Sequence, residues 1–238
     1  MTEVKMVETF KSLLGEGSDA GRPAYFIRLA GCNQRCSYCD TKYSYEPEYT
    51  EPVEKVIRDA INSEMKIVQI TGGEPLLQAE AVSKMCYEFA CKGIHVIIET
   101  NGTIDLEPFI TAYHYKTPDT IKYVMDVKCP SSGVVNDPIL LRKNLEMLRQ
   151  CDEVKFVMGT KDDFLFAKKW IHGLYLDTNE WKIFLSRPNN ILLSTIFSSL
   201  SPTELAEWIL KDKSLLKYPI RLQLQLHKIL WDPEERGV

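Results

Sequence analysis

Short apolar runs alternate with longer helix-like segments along almost the whole chain, and this alternation restricts the fold more than any other feature. The predicted strands are residues 25–29, 67–70, 95–98, 123–127, 154–158, 182–185 and 220–224. The predicted helices are residues 53–63, 79–91, 106–111, 138–150, 161–173 and 202–211. A repeated strand–helix order predicts a parallel sheet with helices outside it. We therefore expect an α/β fold, a partial parallel βα barrel with about six core strands, in one domain over residues 1–238.

Two predicted helices begin with recognisable N-terminal signals. Pro138 and Pro202 suit the first turn of a helix, and Asp137 and Ser201 precede them as N-cap residues. Residues 43–52 are rich in Tyr, Glu and Pro and are expected to form a loop, while residues 187–200 are expected to form a loop or a short helix. In a parallel βα fold, functional residues collect where the strands end.

Composition and charge narrow the class of protein. The 238 residues carry a formal net charge of −4 and no basic tail, so no nucleic-acid partner is expected. No run of 18 apolar residues occurs and the first residues lack the apolar stretch of a signal peptide, so neither a membrane span nor secretion is expected. Seven cysteines, an odd number, argue against a disulfide framework and favour a reducing, cytoplasmic location.

Three of these cysteines, Cys32, Cys36 and Cys39, follow the first predicted strand at C-x3-C-x2-C spacing. Soft thiolates select zinc, Cu(I) or iron–sulfur clusters. A site with three protein ligands leaves a coordination position for another molecule, whereas a structural zinc site uses four. By spacing alone, zinc with a distant fourth ligand stays open as an alternative, although no second C-x2-C pair accompanies the triplet.

A second motif, Thr71-Gly72-Gly73-Glu74-Pro75, ends the predicted strand at 67–70. Together with the cysteine triplet it resembles the radical S-adenosylmethionine (SAM) superfamily. The resemblance implies that the three cysteines hold three irons of a 4Fe-4S cluster and that SAM chelates the fourth. It also implies that Gly72 and Gly73 contact SAM through close backbone approach, with the Glu74 carboxylate at the SAM ammonium.

Four features extend the resemblance to the 7-carboxy-7-deazaguanine synthase family over the whole chain. The first is the loop from Phe10 to Gly17, similar to a family Phe-x-Ser-x-Gln-Gly-Glu-Gly segment that lies against the substrate. It implies substrate contacts from Leu13, Leu14, Gly15 and Glu16, with Leu14 in place of the usual Gln. The second is Arg28, a charge inside an apolar strand, which needs a partner when buried. An internal salt bridge is one explanation; the resemblance implies a grip on the substrate carboxylate.

The third feature is Thr41, which follows Cys39 and Asp40 directly. The resemblance implies that its hydroxyl binds Mg²⁺ together with substrate oxygens, while an N-cap or turn residue is the alternative. The fourth is the C-terminal segment, with His227-Lys228-Ile229-Leu230-Trp231 and a final Arg236-Gly237-Val238. The resemblance implies that this tail folds over the active site and that Val238 reaches the substrate. His227 is left without an assigned role.

Further contacts follow from the resemblance alone. It implies SAM contacts from Tyr38, Asp40, Gly102, Lys128 and Ser131, and a pterin contact from Thr100. Cys129 is expected to be a structural thiol, because a fourth protein ligand would prevent chelation by SAM. Ser186 stands where family members often carry Gln at a strand end that contacts SAM.

The implied reaction is a radical ring contraction. The reduced cluster cleaves SAM to methionine and a 5′-deoxyadenosyl radical, which takes the C6 hydrogen of 6-carboxy-5,6,7,8-tetrahydropterin. Rearrangement with loss of ammonia gives 7-carboxy-7-deazaguanine, on the route to queuosine and archaeosine. No side chain is assigned as a catalytic acid or base.

The resemblance also implies partners, a flavodoxin- or ferredoxin-type electron donor and a second copy of the chain in a homodimer. Two alternatives stay open from the sequence. One is an activase of glycyl-radical enzymes, which shares the cysteine spacing but acts on a protein. The other is a non-catalytic metal-binding or scaffold protein of the same fold.

Overall fold

The computed structural model describes residues 2–114, 120–176 and 191–238. Within them the strands are β1 (Glu3–Leu13), β2 (Pro23–Leu29), β3 (Tyr49–Pro52), β4 (Ile67–Gly72), β5 (His95–Thr100), β6 (Ile121–Lys128), β7 (Glu153–Met158), β8 (Ile191–Thr195) and β9 (Ile220–Gln223). The α-helices are α1 (Val53–Asn62), α2 (Ala79–Cys91), α3 (Glu107–His114), α4 (Pro138–Met147), α5 (Lys161–Leu176), α6 (Pro202–Lys211) and α7 (His227–Leu230). Short 3-10 helices span Lys42–Tyr45, Pro75–Gln78 and Pro130–Ser132.

The described strands form one sheet in the order β3-β1-β2-β4-β5-β6-β7-β8-β9. Every neighbouring pair from β2 to β9 is parallel, while β1 runs antiparallel to both β2 and β3. Because β3 and β9 stand at the two ends of this order, the sheet is not closed. The prediction of a partial parallel βα barrel is therefore confirmed, with seven parallel strands in place of about six.

The predicted helix starts are confirmed at α4 and α6. The Asp137 carboxylate accepts hydrogen bonds from two backbone N–H groups of α4, and the Ser201 hydroxyl accepts one from α6. Pro138 and Pro202 occupy the first turns, where a missing N–H has no cost because no helical partner exists there. In the described part of the chain, no helix is both long and apolar enough to cross a membrane.

Three strands depart from the prediction. β1 and β3 are not among the predicted strands, and residues 43–52 hold a 3-10 helix and β3 where only a loop is expected. β1 mixes charged and apolar residues because much of it is only partly buried, so it lacks the continuous apolar run of a parallel core strand. β8 lies inside the segment expected to be a loop or a short helix, and all five of its residues are buried. The predicted strand 182–185 lies outside the described residues.

The two faces of the parallel strands differ in polarity. Apolar residues such as Ile27, Ile70 and Ile98 belong to the main core, which includes residues of the surrounding helices. Successive residues of a strand point to opposite faces. The alternate positions at the C-terminal half of the strands carry Arg28, Gln69, Glu99, Asp126 and Lys155. Two residues earlier on the same inner face, Phe26, Ile67, Ile97 and Val124 form a separate apolar cluster with Phe10, Leu14 and Ala24. The inner face is therefore apolar in the middle of the strands and polar near their C-terminal ends.

Candidate functional site

A cavity of about 1040 Å³ lies at the C-terminal ends of the parallel strands. It is enclosed by the loop after β2, the loop between β1 and β2, the strand ends and the C-terminal tail. The predicted site residues that line it are Leu13, Gly15, Glu16, Arg28, Cys32, Cys36, Tyr38, Cys39, Asp40, Thr41, Gly72, Gly73, Thr100, Lys128, Ser131 and Val238. Leu14, Glu74 and Gly102 are not part of its lining.

The three cysteines of the triplet are partly buried free thiols on one wall of the cavity. The backbone N–H of Gln34 donates to Cys32 Sγ at 3.4 Å, and the Asn101 amide donates to the same sulfur at 3.9 Å. Soft thiolates are the ligands that iron–sulfur clusters use, and three of them stand in one loop on one wall of the cavity. The donor set therefore fits an iron–sulfur cluster.

The two glycines of the second motif serve the packing of two strand ends. Gly72 has φ of +131°, and a Cβ there would overlap the backbone of Leu29. A Cβ on Gly73 would overlap the carbonyl oxygen of Gly31. The close approach that requires glycine is thus an approach of β4 to the end of β2, in addition to any approach to a ligand. Both glycines line the cavity, so their backbone atoms are also presented to its contents.

The Glu74 carboxylate is buried and forms its hydrogen bonds within the protein. It accepts hydrogen bonds from the backbone N–H of Leu76 at 3.0 Å, the Thr100 hydroxyl at 2.9 Å and the backbone N–H of Asn101 at 2.6 Å. Burial raises the pKa of Glu74, and these three donors oppose that rise. Its evident function in the structure is to hold the ends of β4 and β5 together, which places Asn101 against the cysteine loop.

Leu14 and Gly102 lie next to the cavity but are not part of its lining. Leu14 is fully buried in the inner apolar cluster, which explains how an apolar residue stands where the family usually has Gln. Gly102 has φ of +72° and lies against the side chain of Met125, so a Cβ there would meet Met125 at 3.0 Å. Both residues shape the walls of the site from behind.

Arg28 forms the internal ion pair that is one of the two explanations from the sequence, and it also lines the cavity. Its Nε donates to Glu8 Oε1 at 2.7 Å, and Glu8 also accepts a hydrogen bond from the Tyr43 hydroxyl at 3.2 Å. The guanidinium lies 5.7 Å from the ring centres of both Phe10 and Tyr43. This ion pair fixes the direction of the side chain and engages Nε, while Arg28 still lines the cavity.

Thr41 and Asp40 follow the cysteines into the cavity wall. Thr41 is the N-cap residue of the 3-10 helix Lys42–Tyr45, yet its hydroxyl makes no capping hydrogen bond and lies 3.8 Å from Cys39 Sγ. Asp40 forms an ion pair of 2.7 Å with Lys228 of the tail. Burial alone would raise the pKa of Asp40, but the charge and hydrogen bond of Lys228 lower it.

Lys128 and Asp126 form an ion pair at the end of β6. Lys128 pairs with Asp126 Oδ2 at 2.7 Å and lies 5.9 Å from the ring centre of Tyr38. Although burial alone would lower the pKa of Lys128, the neighbouring Asp126 and Cys36 raise it. Within the described residues, the Tyr38 hydroxyl and Asp126 Oδ1 are buried without a hydrogen-bond partner. Cys129 is fully buried beside them with its Sγ 3.8 Å from the Val127 carbonyl oxygen, as a structural thiol should be.

A buried ionic group at the centre of the inner face joins the predicted site residue Glu16 to Lys155 and Glu99, which were not among the predicted site residues. Lys155 Nζ lies 2.6 Å from Glu16 Oε2 and 3.1 Å from Glu99 Oε2, and Gln225 Nε2 donates to Glu16 Oε1 at 2.7 Å. Burial alone would raise the pKa of Glu16, but the charge and hydrogen bond of Lys155 outweigh it and lower the pKa to about 2. The signal that identifies Arg28, a charge inside an apolar strand, is equally present at Lys155 within Val154-Lys155-Phe156.

The C-terminal tail forms part of the cavity wall. The Leu226 backbone N–H donates to the Gly15 carbonyl at 3.0 Å, and the His227 ring lies directly over Gly15. Burial lowers the pKa of His227. Near the end of the chain, Arg236 pairs with Glu48 at 2.6 Å and lies 4.0 Å from the ring centre of Tyr43.

Comparison with known sequences gives a consistent result. The profile of the Radical SAM superfamily matches residues 26–127. A protein of Methanospirillum hungatei named 7-carboxy-7-deazaguanine synthase is 38% identical over 232 residues, which cover 97% of this chain and 86% of that protein. A protein of the same name from Clostridium acetobutylicum is 37% identical over 237 residues, covering 98% of this chain and 99% of that protein.

Solved structures share the fold at lower sequence identity. The crystal structure of QueE from Escherichia coli superposes with a TM-score of 0.66 at 23% identity and covers 94% of both chains. Streptococcus suis SuiB bound to S-adenosylmethionine superposes with a TM-score of 0.55 at 15% identity, over 80% of this chain and 44% of that one. At these identities the two structures support the fold alone.

Proposed function

The chain belongs to the 7-carboxy-7-deazaguanine synthase family of radical SAM enzymes, and from this premise we propose that it converts 6-carboxy-5,6,7,8-tetrahydropterin to 7-carboxy-7-deazaguanine with loss of ammonia. One observation carries the proposal: the three cysteines, Arg28, Thr41 and the tail meet in one cavity. Its volume of about 1040 Å³ lies at the upper end of small-ligand sites, which gives room for SAM and a pterin together.

Cys32, Cys36 and Cys39 would hold the 4Fe-4S cluster of the superfamily. When bound, the cluster and SAM supply the one-electron chemistry that no protein side chain can provide. The chain orients the Cys32 thiolate, since the Gln34 backbone N–H and the Asn101 amide both donate to it.

On the SAM side, Gly72 and Gly73 present backbone atoms to the cavity, with Tyr38, Lys128 and Ser131 on the facing wall. The buried, unpartnered oxygens of Tyr38 and Asp126 support a ligand at this wall, because buried polar atoms normally have a hydrogen-bond partner.

The substrate side is the half of the cavity around Arg28. Because Glu8 engages only Nε, the terminal nitrogens of the guanidinium are left for a bidentate contact with the substrate carboxylate. Glu16 and Thr100 offer oxygen atoms to the ring nitrogens of a pterin, and Val238 brings the chain terminus to the same space.

We propose that Thr41 binds Mg²⁺, as the family resemblance implies, because its hydroxyl caps no helix and Thr41 lines the cavity. The hydroxyl oxygen of a threonine at an N-cap ordinarily accepts a hydrogen bond from a backbone N–H of the helix, and that of Thr41 does not. Thr41→Ala should remove most of the stimulation by Mg²⁺ while iron content stays at the wild-type value, and Thr41→Ser should restore it. Unchanged Mg²⁺ dependence in Thr41→Ala would remove Thr41 from the metal site.

We also propose that residues 1–238 act as a single domain whose tail covers the substrate. The contacts of Lys228 with Asp40 and of Gln225 with Glu16 support this arrangement. A flavodoxin- or ferredoxin-type electron donor and a homodimer are proposed from the family resemblance. The seven free thiols support a reducing, cytoplasmic location.

The function is tested by a product assay on anaerobically reconstituted protein with SAM, a reductant, Mg²⁺ and 6-carboxy-5,6,7,8-tetrahydropterin. Formation of 7-carboxy-7-deazaguanine with an equal amount of ammonia is the expected result. Cys36→Ala should lose both the cluster and the product, whereas Cys129→Ala, a matched removal of a thiol outside the cavity, should keep both. If the reconstituted protein cleaves SAM but the pterin is returned unchanged, the proposal is wrong and a protein substrate, as for an activase, takes its place.

A further inference from the structure

Lys155 is a buried lysine placed between two carboxylates on the inner face of the sheet. It lies on β7, and its side chain is 10% exposed. Its ammonium group reaches Glu16 from the loop between β1 and β2 and Glu99 from the end of β5. All three residues line the cavity. Lys155 thus joins three separate elements at the floor of the substrate side.

The charges of this group do not balance, since one ammonium serves two carboxylates. Asp126, the neighbour of Lys155 in the parallel register, adds a further negative charge, although its Oδ2 is paired with Lys128. Burial raises the pKa of Glu99, and the charges of Glu16 and Asp126 add to the rise, while Lys155 opposes it. Without the ammonium group, two carboxylates would face each other in a buried site, where like charges cannot both stay ionised.

The two carboxylates keep acceptor capacity for a ligand. Glu99 gives Lys155 one oxygen, Oε2, and Glu16 gives one oxygen to Lys155 and the other to Gln225. Each carboxylate oxygen accepts more than one hydrogen bond when ionised. A ring that presents several N–H donors along one edge, such as an aminopyrimidinone, matches this pair of acceptors.

We propose that Lys155 is a positioning residue that holds Glu16 and Glu99 ionised and aimed at the N–H edge of the pterin ring, and that it thereby sets the affinity for the ring. The inference rests on the proposed function, which supplies the pterin. Lys155 touches the two carboxylates and acts on the ligand through them.

The test compares two buried lysines that each pair with two carboxylates, one at the cavity and one away from it. Lys122 on β6 bridges Glu153 at 2.9 Å and Asp19 at 3.1 Å and is also buried, yet it does not line the cavity. Lys155→Met should raise the KM for the pterin about 10- to 150-fold, the range expected when hydrogen bonds to charged groups are lost. The KM for SAM and the iron content should stay at wild-type values, and Lys155→Arg should recover part of the affinity.

Lys122→Met should lower the thermal midpoint and leave the pterin KM unchanged. An equal rise of the pterin KM in both variants would mean that any loosening of the loop between β1 and β2 weakens pterin binding. That result would overturn the positioning role of Lys155. A fall in kcat with no change in pterin KM for Lys155→Met would overturn it as well.

If Lys155→Met does not fold, the Glu99→Gln variant tests the proposal, because it keeps the shape of the side chain and removes its charge and one acceptor oxygen. The proposal requires a pterin KM raised at least about 10-fold in that variant, and a wild-type KM would refute it. Wild-type protein in the same assay separates the two claims. No 7-carboxy-7-deazaguanine from the wild type contradicts the proposed function, whereas product from the wild type with unchanged affinity in the variants contradicts only the role of Lys155.

Discussion

Substitution of Gly15 by alanine should undock the C-terminal tail while leaving the barrel folded. A Cβ at Gly15 would overlap Nδ1 of the His227 ring and stand 3.1 Å from its Cγ and 3.2 Å from its Cε1. The ring belongs to the tail, and no residue from 224 to 238 is part of the main core. The tail is therefore the part of the molecule that gives way.

The size of the effect follows from the crowding. Forcing an extra methyl group into a packed site costs about 1–3 kcal/mol. Applied to docking of the tail, that cost lowers the ratio of docked to undocked molecules about 5- to 150-fold. The contacts at risk are the 3.0 Å hydrogen bond from the Leu226 N–H to the Gly15 carbonyl and the 2.7 Å bond from Gln225 to Glu16.

Hydrogen exchange of the tail amides measures this ratio directly. In Gly15→Ala, protection of the Leu226 amide should fall about 5- to 150-fold, while the amides of β4 to β7 keep their wild-type protection. The double variant Gly15→Ala/His227→Ala removes the ring that clashes and should regain most of the protection, with His227→Ala alone as the control. The reasoning is refuted if the double variant is no better protected than Gly15→Ala.

Three further predictions concern single side chains. Glu74→Gln should lower the free energy of unfolding by about 1–3 kcal/mol, because an amide cannot accept from all three donors that the carboxylate satisfies; urea unfolding measures it. Glu16, with its folded pKa lowered to about 2 from 4.5, stabilises the fold above pH 4.5 and loses this contribution as the pH falls toward 2. The advantage of wild type over Glu16→Gln in urea unfolding should thus be about 3 kcal/mol at pH 7 and shrink on acidification, and a pH-independent difference would contradict it. Arg28→Lys should raise the pterin KM more than the SAM KM in steady-state kinetics, because a lysine cannot make the bidentate contact.

The parallel part of the fold is predictable because its strands bury one whole face against helices. The runs at 67–70, 95–98 and 123–127 are apolar enough to be recognised, and each lies within an observed strand. β1 and β3 are not, since these antiparallel strands carry exposed residues, among them Glu3 and Lys5 of β1, and lack a continuous apolar run. β1 pairs with β2 and β3 pairs with β1, and no local pattern encodes either pairing.

Site residues can be predicted from the sequence where a residue type is unusual for its surroundings. They are harder to predict where the role depends on the direction in which the side chain points. The cysteine triplet and Arg28 stand out in the sequence, and both line the cavity. Glu74 lies in a recognisable motif, but the turn of its carboxylate into the protein depends on donors supplied by β5, 26 and 27 positions away. Lys155 carries the same signal as Arg28, and its significance becomes clear only once Glu16 and Glu99 are seen beside it.

The most direct test of the account is the fate of the hydrogen at C6 of the pterin. The anaerobically reconstituted protein is supplied with SAM, a reductant, Mg²⁺ and 6-carboxy-5,6,7,8-tetrahydropterin deuterated at C6, and the 5′-deoxyadenosine formed is analysed by mass spectrometry. The account predicts deuterium in 5′-deoxyadenosine, in step with formation of 7-carboxy-7-deazaguanine. Unlabelled 5′-deoxyadenosine with the pterin returned intact would contradict the central claim that this cavity holds the pterin for hydrogen abstraction.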